Sequence, residues 1–143
     1  NKALFNDLQL ADDPAIGDTL YNLVKDGKWT LDKLEACSVL ATKDLNGDNQ
    51  MGDEDQWGMA NEVFNALALY NASGNVLFVK DPATDIPSYA AYNEKSISAF
   101  QRIIPLVRAE HSKWYSNAYN EVHPFFQSGM QGFRIDIIGC DFI

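Results

Sequence analysis

Apolar residues recur at helical spacing in five stretches of the chain and gather into short extended runs in four others. Leu4, Phe5 and Leu8 define a first short helix that Asn1 can cap. Asp12-Asp13-Pro14 reads as a start signal, with proline at the first helical position. The helix expected there carries Leu20, Leu23 and Val24 on one face and stops at Gly27. Thr30 is the N-cap of the next helix, and Trp29 is placed to pack on Leu34 as a hydrophobic staple. Asp32 favours the positive end of that helix's dipole, while Lys33 leaves the capping box incomplete. Leu34, Cys37, Leu40 and Ala41 form its buried stripe, with Trp29 read as core.

Residues 57–60 (Trp-Gly-Met-Ala) form a short extended segment, after which Asn61 caps a helix bearing Val63, Phe64, Leu67, Leu69 and Tyr70. That helix is apolar around most of its circumference, so it is expected to be the central, most buried one, ending at Ser73-Gly74. Asn75–Lys80 and Ile86–Ala90 read as a hairpin about the turn at 81–85, with Pro87 confining its strand to an edge. Asn93 caps a helix reaching about Glu110, with Ile97, Phe100, Ile104 and Val107 on one face and Pro105 expected to kink it. His111–Tyr119 is polar and aromatic and reads as loop or irregular helix. A short helix at Glu121–Ser128 ends at Gly129. Gln131–Ile137 then alternates as a half-buried strand, with Phe133, Ile135 and Ile137 inward and Gln131, Arg134 and Asp136 outward. The expected fold class is α+β, mainly helical, with a small sheet and a β-hairpin, in one domain spanning 1–143.

One polar stretch interrupts this pattern with a spacing of its own. From Asp44 to Gly58 the chain reads Asp-Leu-Asn-Gly-Asp-Asn-Gln-Met-Gly-Asp-Glu-Asp-Gln-Trp-Gly. Asp44, Asn46 and Asp48 alternate as the first three oxygen donors of an EF-hand-type calcium loop do. Gln50 falls at the seventh position, which supplies a backbone carbonyl, and Asp55 at the twelfth, which supplies the closing carboxylate. Calcium is a hard cation that takes six to eight oxygens, and a tight loop can aim every second side chain inward. Asn49 stands at the sixth position in place of glycine and is the residue next most tolerant of a left-handed turn. The alternative is an acidic, solvated turn between two helices.

Composition narrows the function classes. The formal charge is −9, from 20 acidic and 11 basic residues, which disfavours nucleic acid as a partner because phosphate binding needs clustered Lys and Arg. There is no apolar run long enough to span a membrane and no secretory signal; the chain starts at Asn1 and reads as a processed or excised piece. Cys37 and Cys140 are too far apart in sequence for a metal pair; two free thiols are expected, with one disulfide as the alternative. His111 and His123 read as surface or loop histidines. No nucleophile elbow and no phosphate-cradling loop is present, and scattered carboxylates alone do not make a glycosidase pair, so no enzyme activity is expected.

Taken together, Lys28-Trp29-Thr30-Leu31-Asp32-Lys33-Leu34, Lys43-Asp44-Leu45-Asn46-Gly47-Asp48 and Asp55-Gln56-Trp57-Gly58 resemble the extracellular solute-binding proteins of bacterial ABC sugar importers, of the lipoprotein type. The opening Asn1-Lys2-Ala3-Leu4-Phe5 resembles the entry of those chains into their second lobe. Phe126-Gln127-Ser128-Gly129-Met130, followed by a strand, resembles the return from it. The resemblance implies one lobe of a type II periplasmic-binding-protein fold. It implies a sugar or oligosaccharide held between lobes, and as partners a missing first lobe and the ABC permease subunits in the membrane. The implied location is extracellular, on a lipoprotein whose anchor lies outside this chain. Members that carry such a loop use calcium structurally, away from the sugar. Gly52, where an acidic residue is common, departs from that pattern. By position the resemblance assigns ligand contact to Asn61, Glu62, Val63 and Phe64, and to Gly139 and Cys140 after the last strand. Trp114 and Tyr115 are further aromatic candidates. A calcium-dependent interaction module akin to a dockerin is the competing reading; dockerins carry two such loops in a shorter chain.

Overall fold

The computed structural model of the chain describes residues 1–115 and 124–135. Its five helices are α1 (Lys2–Asp7), α2 (Leu20–Lys25), α3 (Leu31–Ala41), α4 (Val63–Ala72) and α5 (Glu94–Val107). A 3-10 turn at Leu10–Asp12 and a helical turn at 124–127 supplement them. The strands are β1 (Trp57–Asn61), β2 (Phe78–Lys80), β3 (Pro87–Tyr89), β4 (Ser112–Trp114) and β5 (Gln131–Arg134). β1 is the centre of a three-stranded parallel sheet in the order β4-β1-β5, while β2 and β3 pair antiparallel as a separate hairpin. The fold is a small α+β domain with two small sheets.

β1 positions the rest. Its five residues are all buried, as befits a central parallel strand covered on both faces. α3 reaches it through a pair of glycines. A Cβ on Gly58 would lie 1.8 Å from the Ser38 carbonyl oxygen, and one on neighbouring Gly132 of β5 would meet the Gly58 carbonyl oxygen at 2.8 Å and the Ala41 Cβ at 3.3 Å. Only hydrogen at both positions lets the helix backbone settle this close. Met59 then packs with Leu34 of α3 and Leu106 of α5, and Arg102 of α5 ion-pairs with Asp32 and Glu35 of α3. Phe5, Leu10, Ile16, Leu23 and Cys37 form a second cluster beneath α3. A third joins α4 to α5, where the Tyr70 and Phe100 rings stack at 4.7 Å.

The local capping signals hold. Asn1, Thr30 and Asn93 accept the backbone N–H of Leu4, Lys33 and Ser96, and Trp29 packs beside Leu34. Cys37 is a buried free thiol; Cys140 lies outside the described residues. Several expectations are corrected. No helix starts at Pro14. Asp13 instead closes a single turn with Ala15, Ile16 and Gly17, and α2 begins at Leu20 under a Thr19 cap, leaving Val24 exposed. Asn61 is the last strand residue, and Glu62 is the N-cap of α4. α4 is not the most buried helix: only Asn65 and Tyr70 are fully covered, and Val63 and Phe64 at its start are exposed. The buried face of α5 is Ser96, Ile103, Leu106 and Val107, with Ile97 and Ile104 exposed; burial of Ser96 is satisfied by its hydrogen bond to the Tyr70 hydroxyl at 2.8 Å. The expected loop at 111–119 contains β4, too short for its period to register. Gln131, expected to face out, is fully buried, its amide donating to the Phe133 carbonyl at 2.7 Å. His111 lies in a turn, as expected, but is buried rather than on the surface, and His123, Asp136 and Ile137 lie outside the described residues.

Candidate functional site

Two features stand out, one at each end of β1. At its amino end is the loop from Asp44 to Asp55. The Asp44 carboxylate accepts the backbone N–H of Gly47 at 2.6 Å and of Asn49 at 2.8 Å. Asn46 accepts from Asp48 at 2.9 Å, and Asp48 from Gln50 at 2.8 Å. These successive side-chain-to-backbone turns follow from the alternation of short Asp and Asn side chains: Asn46 and Asp48 each reach the N–H two residues on, and Asp44 reaches those three and five residues on. Asn49 has φ +62°, the left-handed conformation expected of the sixth position. Asp55 is fully buried and closes the loop, accepting Leu45 N–H at 2.8 Å and Gly52 N–H at 2.7 Å. Those two bonds, Gly52 first, hold its pKa below the ordinary carboxylate value. Among the described residues no three His, Cys, Asp or Glu side chains converge closely enough to form a metal cluster by themselves. The loop's donor set is wider than carboxylates. It offers the Asn46 amide oxygen and the Gln50 carbonyl beside Asp44, Asp48 and Asp55, all hard oxygen donors, on a backbone already turned as such a loop requires. The residues fit an oxygen-ligated cation in chemistry and in backbone shape.

The loop is fastened to the sheet. Lys43 and Gln56 form a two-bond bridge across its base, 2.8 and 3.0 Å. The Trp57 indole N–H donates to the Gly52 carbonyl at 2.8 Å. Lys113 of β4 reaches back to ion-pair with Asp53.

At the other end of β1, the carboxyl ends of the parallel strands converge. Asn61 pairs with Trp114 in register, and Ala60 pairs with Arg134 on the opposite side. Of the predicted ligand residues, Phe64 is 68% exposed and Val63 is also exposed, both on the first turn of α4. Trp114, at the end of β4, is 39% exposed, with the Arg108 guanidinium 5.0 Å from its ring centroid. Glu62, just before Val63 in sequence, is half-buried. Asn61 is 1% exposed; its amide donates to Ser112 Oγ at 2.6 Å and its Oδ1 has no partner. Tyr115 is buried against Ala60. Gly139 and Cys140 lie outside the described residues.

Sequence reasoning missed Asn65. Its Oδ1 accepts the Glu62 N–H at 2.7 Å, and its amide donates to the Ile135 carbonyl beyond β5. One buried side chain thus ties the exit of β1, the start of α4 and the exit of β5. The available signal was a polar residue in the first turn of an otherwise apolar helix. A depression of about 470 Å³ lies elsewhere, lined by Trp29, Leu31, Leu34, Leu69 and Ile135 among others. It is almost wholly apolar and includes none of the predicted ligand residues, so it lacks the amide and carboxylate groups that a sugar needs.

Comparison of the chain with family models, with curated proteins and with solved structures finds no match.

Proposed function

We propose that this chain is the second lobe of an extracellular solute-binding protein for an ABC-type sugar importer, with a type II periplasmic-binding-protein-like fold. The observation that carries the reading is the carboxyl edge of the parallel sheet. In open α/β sheets ligands bind in the crevice outside the carboxyl ends of the strands. Here that edge carries two exposed aromatic rings, Phe64 and Trp114, beside Glu62 and Arg108. Aromatic faces stack on the apolar faces of sugar rings, and charged groups beside them hydrogen-bond hydroxyls. Residues 61–64 would contribute the exit of β1 and the start of α4, with Phe64 as the exposed ring, and Trp114 the neighbouring platform. Capture would proceed by closure on a first lobe, each lobe supplying part of the site, with the closed form docking on the permease. Calcium would act structurally in the Asp44–Asp55 loop, held by Asp44, Asn46, Asp48, the Gln50 carbonyl and Asp55. Its bound charge would offset the loop's carboxylates.

Half a site binds weakly, because the contacts of the other lobe are missing while the entropy cost of capture remains. Titrating the labelled protein with neutral and acidic oligosaccharides while recording amide and indole NMR shifts tests this. Weak perturbation confined to residues 61–64 and 114 is expected. Sub-micromolar binding by this chain alone, or perturbation centred elsewhere, contradicts the half-site reading.

A further inference from the structure

We propose that Lys113 is a positioning residue that couples the Asp44–Asp55 loop to the ligand platform at Trp114. The ammonium of Lys113 lies 4.9 Å from the ring centroid of Phe125, 5.4 Å from Tyr115 and 5.6 Å from Trp57, and it ion-pairs with Asp53. Three rings and one carboxylate around a single ammonium make a strongly attractive setting, since each ring presents its negative face to the cation. The side chain of Lys113 is only 14% exposed, whereas that of Asp53 is 91% exposed. The cation is therefore held within the fold, and the acid reaches it from the loop.

The geometry gives this contact leverage. β4 is an edge strand of three residues, and its neighbour in sequence to Lys113 is Trp114. Its backbone is bound to β1 at both ends, from Met59 N–H to the His111 carbonyl at 3.1 Å and from Tyr115 N–H to the Asn61 carbonyl at 2.9 Å. Within that frame the Lys113 side chain links β4 to the loop through Asp53, and Trp57 links β1 to it through Gly52. A change in the loop that moves Asp53 or Gly52 pulls on both strands whose carboxyl ends carry the candidate site. The acidic loop then serves as more than a clamp: its state sets how Trp114 is presented. This inference rests on the reading of Trp114 as a ligand platform, but its test needs neither sugar nor metal.

The protein labelled with 5-fluorotryptophan gives three fluorine resonances, assignable to Trp29, Trp57 and Trp114 by single Trp→Phe variants. In Asp53→Asn, a substitution at an exposed carboxylate, the Trp57 and Trp114 lines are expected to shift while Trp29 stays in place. Lys113→Met, which keeps the stem and removes the charge, is expected to shift the same two lines. The double variant should add little to either single one, as befits one shared interaction. A Trp114 line unmoved in Asp53→Asn, or shifts in the double variant equal to the sum of the singles, overturns the coupling. Coupled shifts without any saccharide response leave the coupling standing and count against the carbohydrate reading; the reverse pattern does the opposite.

Discussion

Two buried titratable groups set how the fold responds to acid. His111 is pushed below its ordinary value of 6.5 by burial, with the Glu35 carboxylate acting weakly the other way. A base that stays neutral in the fold but protonates when unfolded stabilises the native state above pH 6.5, and that contribution is lost as pH falls toward its folded value. Asp55 is depressed below 3.8 by the Gly52 and Leu45 N–H donors. Its contribution is present above 3.8 and is lost only at more acid pH, as its folded value is crossed. Melting temperature should therefore decline in two steps as pH is lowered, one beginning near neutrality and one below about pH 4. In His111→Gln the first step should shrink to what the amino terminus of Asn1 contributes, whose pKa burial also lowers from 8.0, a change checked by calorimetric scans between pH 5 and 8. These residues also mark a limit of reading by type. A lone histidine is usually at the surface, and nothing local signals that residue 111 will sit against the central strand.

At the scale of elements, α3 and β1 meet through glycine, and α4 is hung on the sheet through Asn65. Gly58→Ala places a methyl group where the Ser38 carbonyl oxygen already lies, so α3 must shift away from β1. The expected cost is at or above the upper end of the ~1–3 kcal/mol typical of overpacking, read by urea denaturation. Asn65→Ala leaves the Glu62 N–H and the Ile135 carbonyl without their partner. A loss of about 2 kcal/mol is expected, with faster hydrogen exchange confined to the first turn of α4. The helix starts at Thr30 and Asn93 were legible because a cap is a local matter: a short polar side chain meets an N–H three residues ahead. The buried faces of α4 and α5 were legible only in part: Leu69, Tyr70, Phe100 and Val107 pack in the core as their spacing suggests, whereas Val63, Phe64, Ile97 and Ile104 are exposed, because the choice between neighbouring apolar positions belongs to the element packed against them. Tyr70 and Ser96 are bonded to each other across the two helices, so a polar residue takes a buried place on α5 while Ile97 beside it is exposed.

For the whole molecule, the loop between α3 and β1 is where a bound ion would be felt. If it binds calcium in the native state alone, adding calcium to chelator-treated protein should raise the melting temperature, by the equivalent of ~2.7 kcal/mol at a hundred-fold excess over the dissociation constant. Asp48→Ala, whose carboxylate points into the exposed turn, should abolish that rise while changing the metal-free melting point little. An unchanged melting temperature in the parent protein returns the loop to an acidic solvated turn. The exposed hairpin is a second feature of this scale. Phe78 and Tyr89 lie edge to face at 5.7 Å, a pairing visible only once the two strands are paired, and Ile86 and Tyr92 are also exposed. Among the described residues no helix is long and apolar enough to cross a membrane.

Taken alone, the sequence determined the features that rest on contacts between near neighbours. The caps at Asn1, Thr30 and Asn93, the hairpin about 81–85 and the turns of the Asp44–Asp55 loop close between near neighbours, so their physics is written in spacing. The tertiary structure alone decided what depends on distant partners. It made β4 a strand by giving it β1 to pair with, and buried Gln131 and His111 beside that strand. It also turned α5 onto Tyr70 and set Lys113 among Trp57, Tyr115 and Phe125. Each of those outcomes depends on packing against an element many residues away, and such packing has no period along the chain.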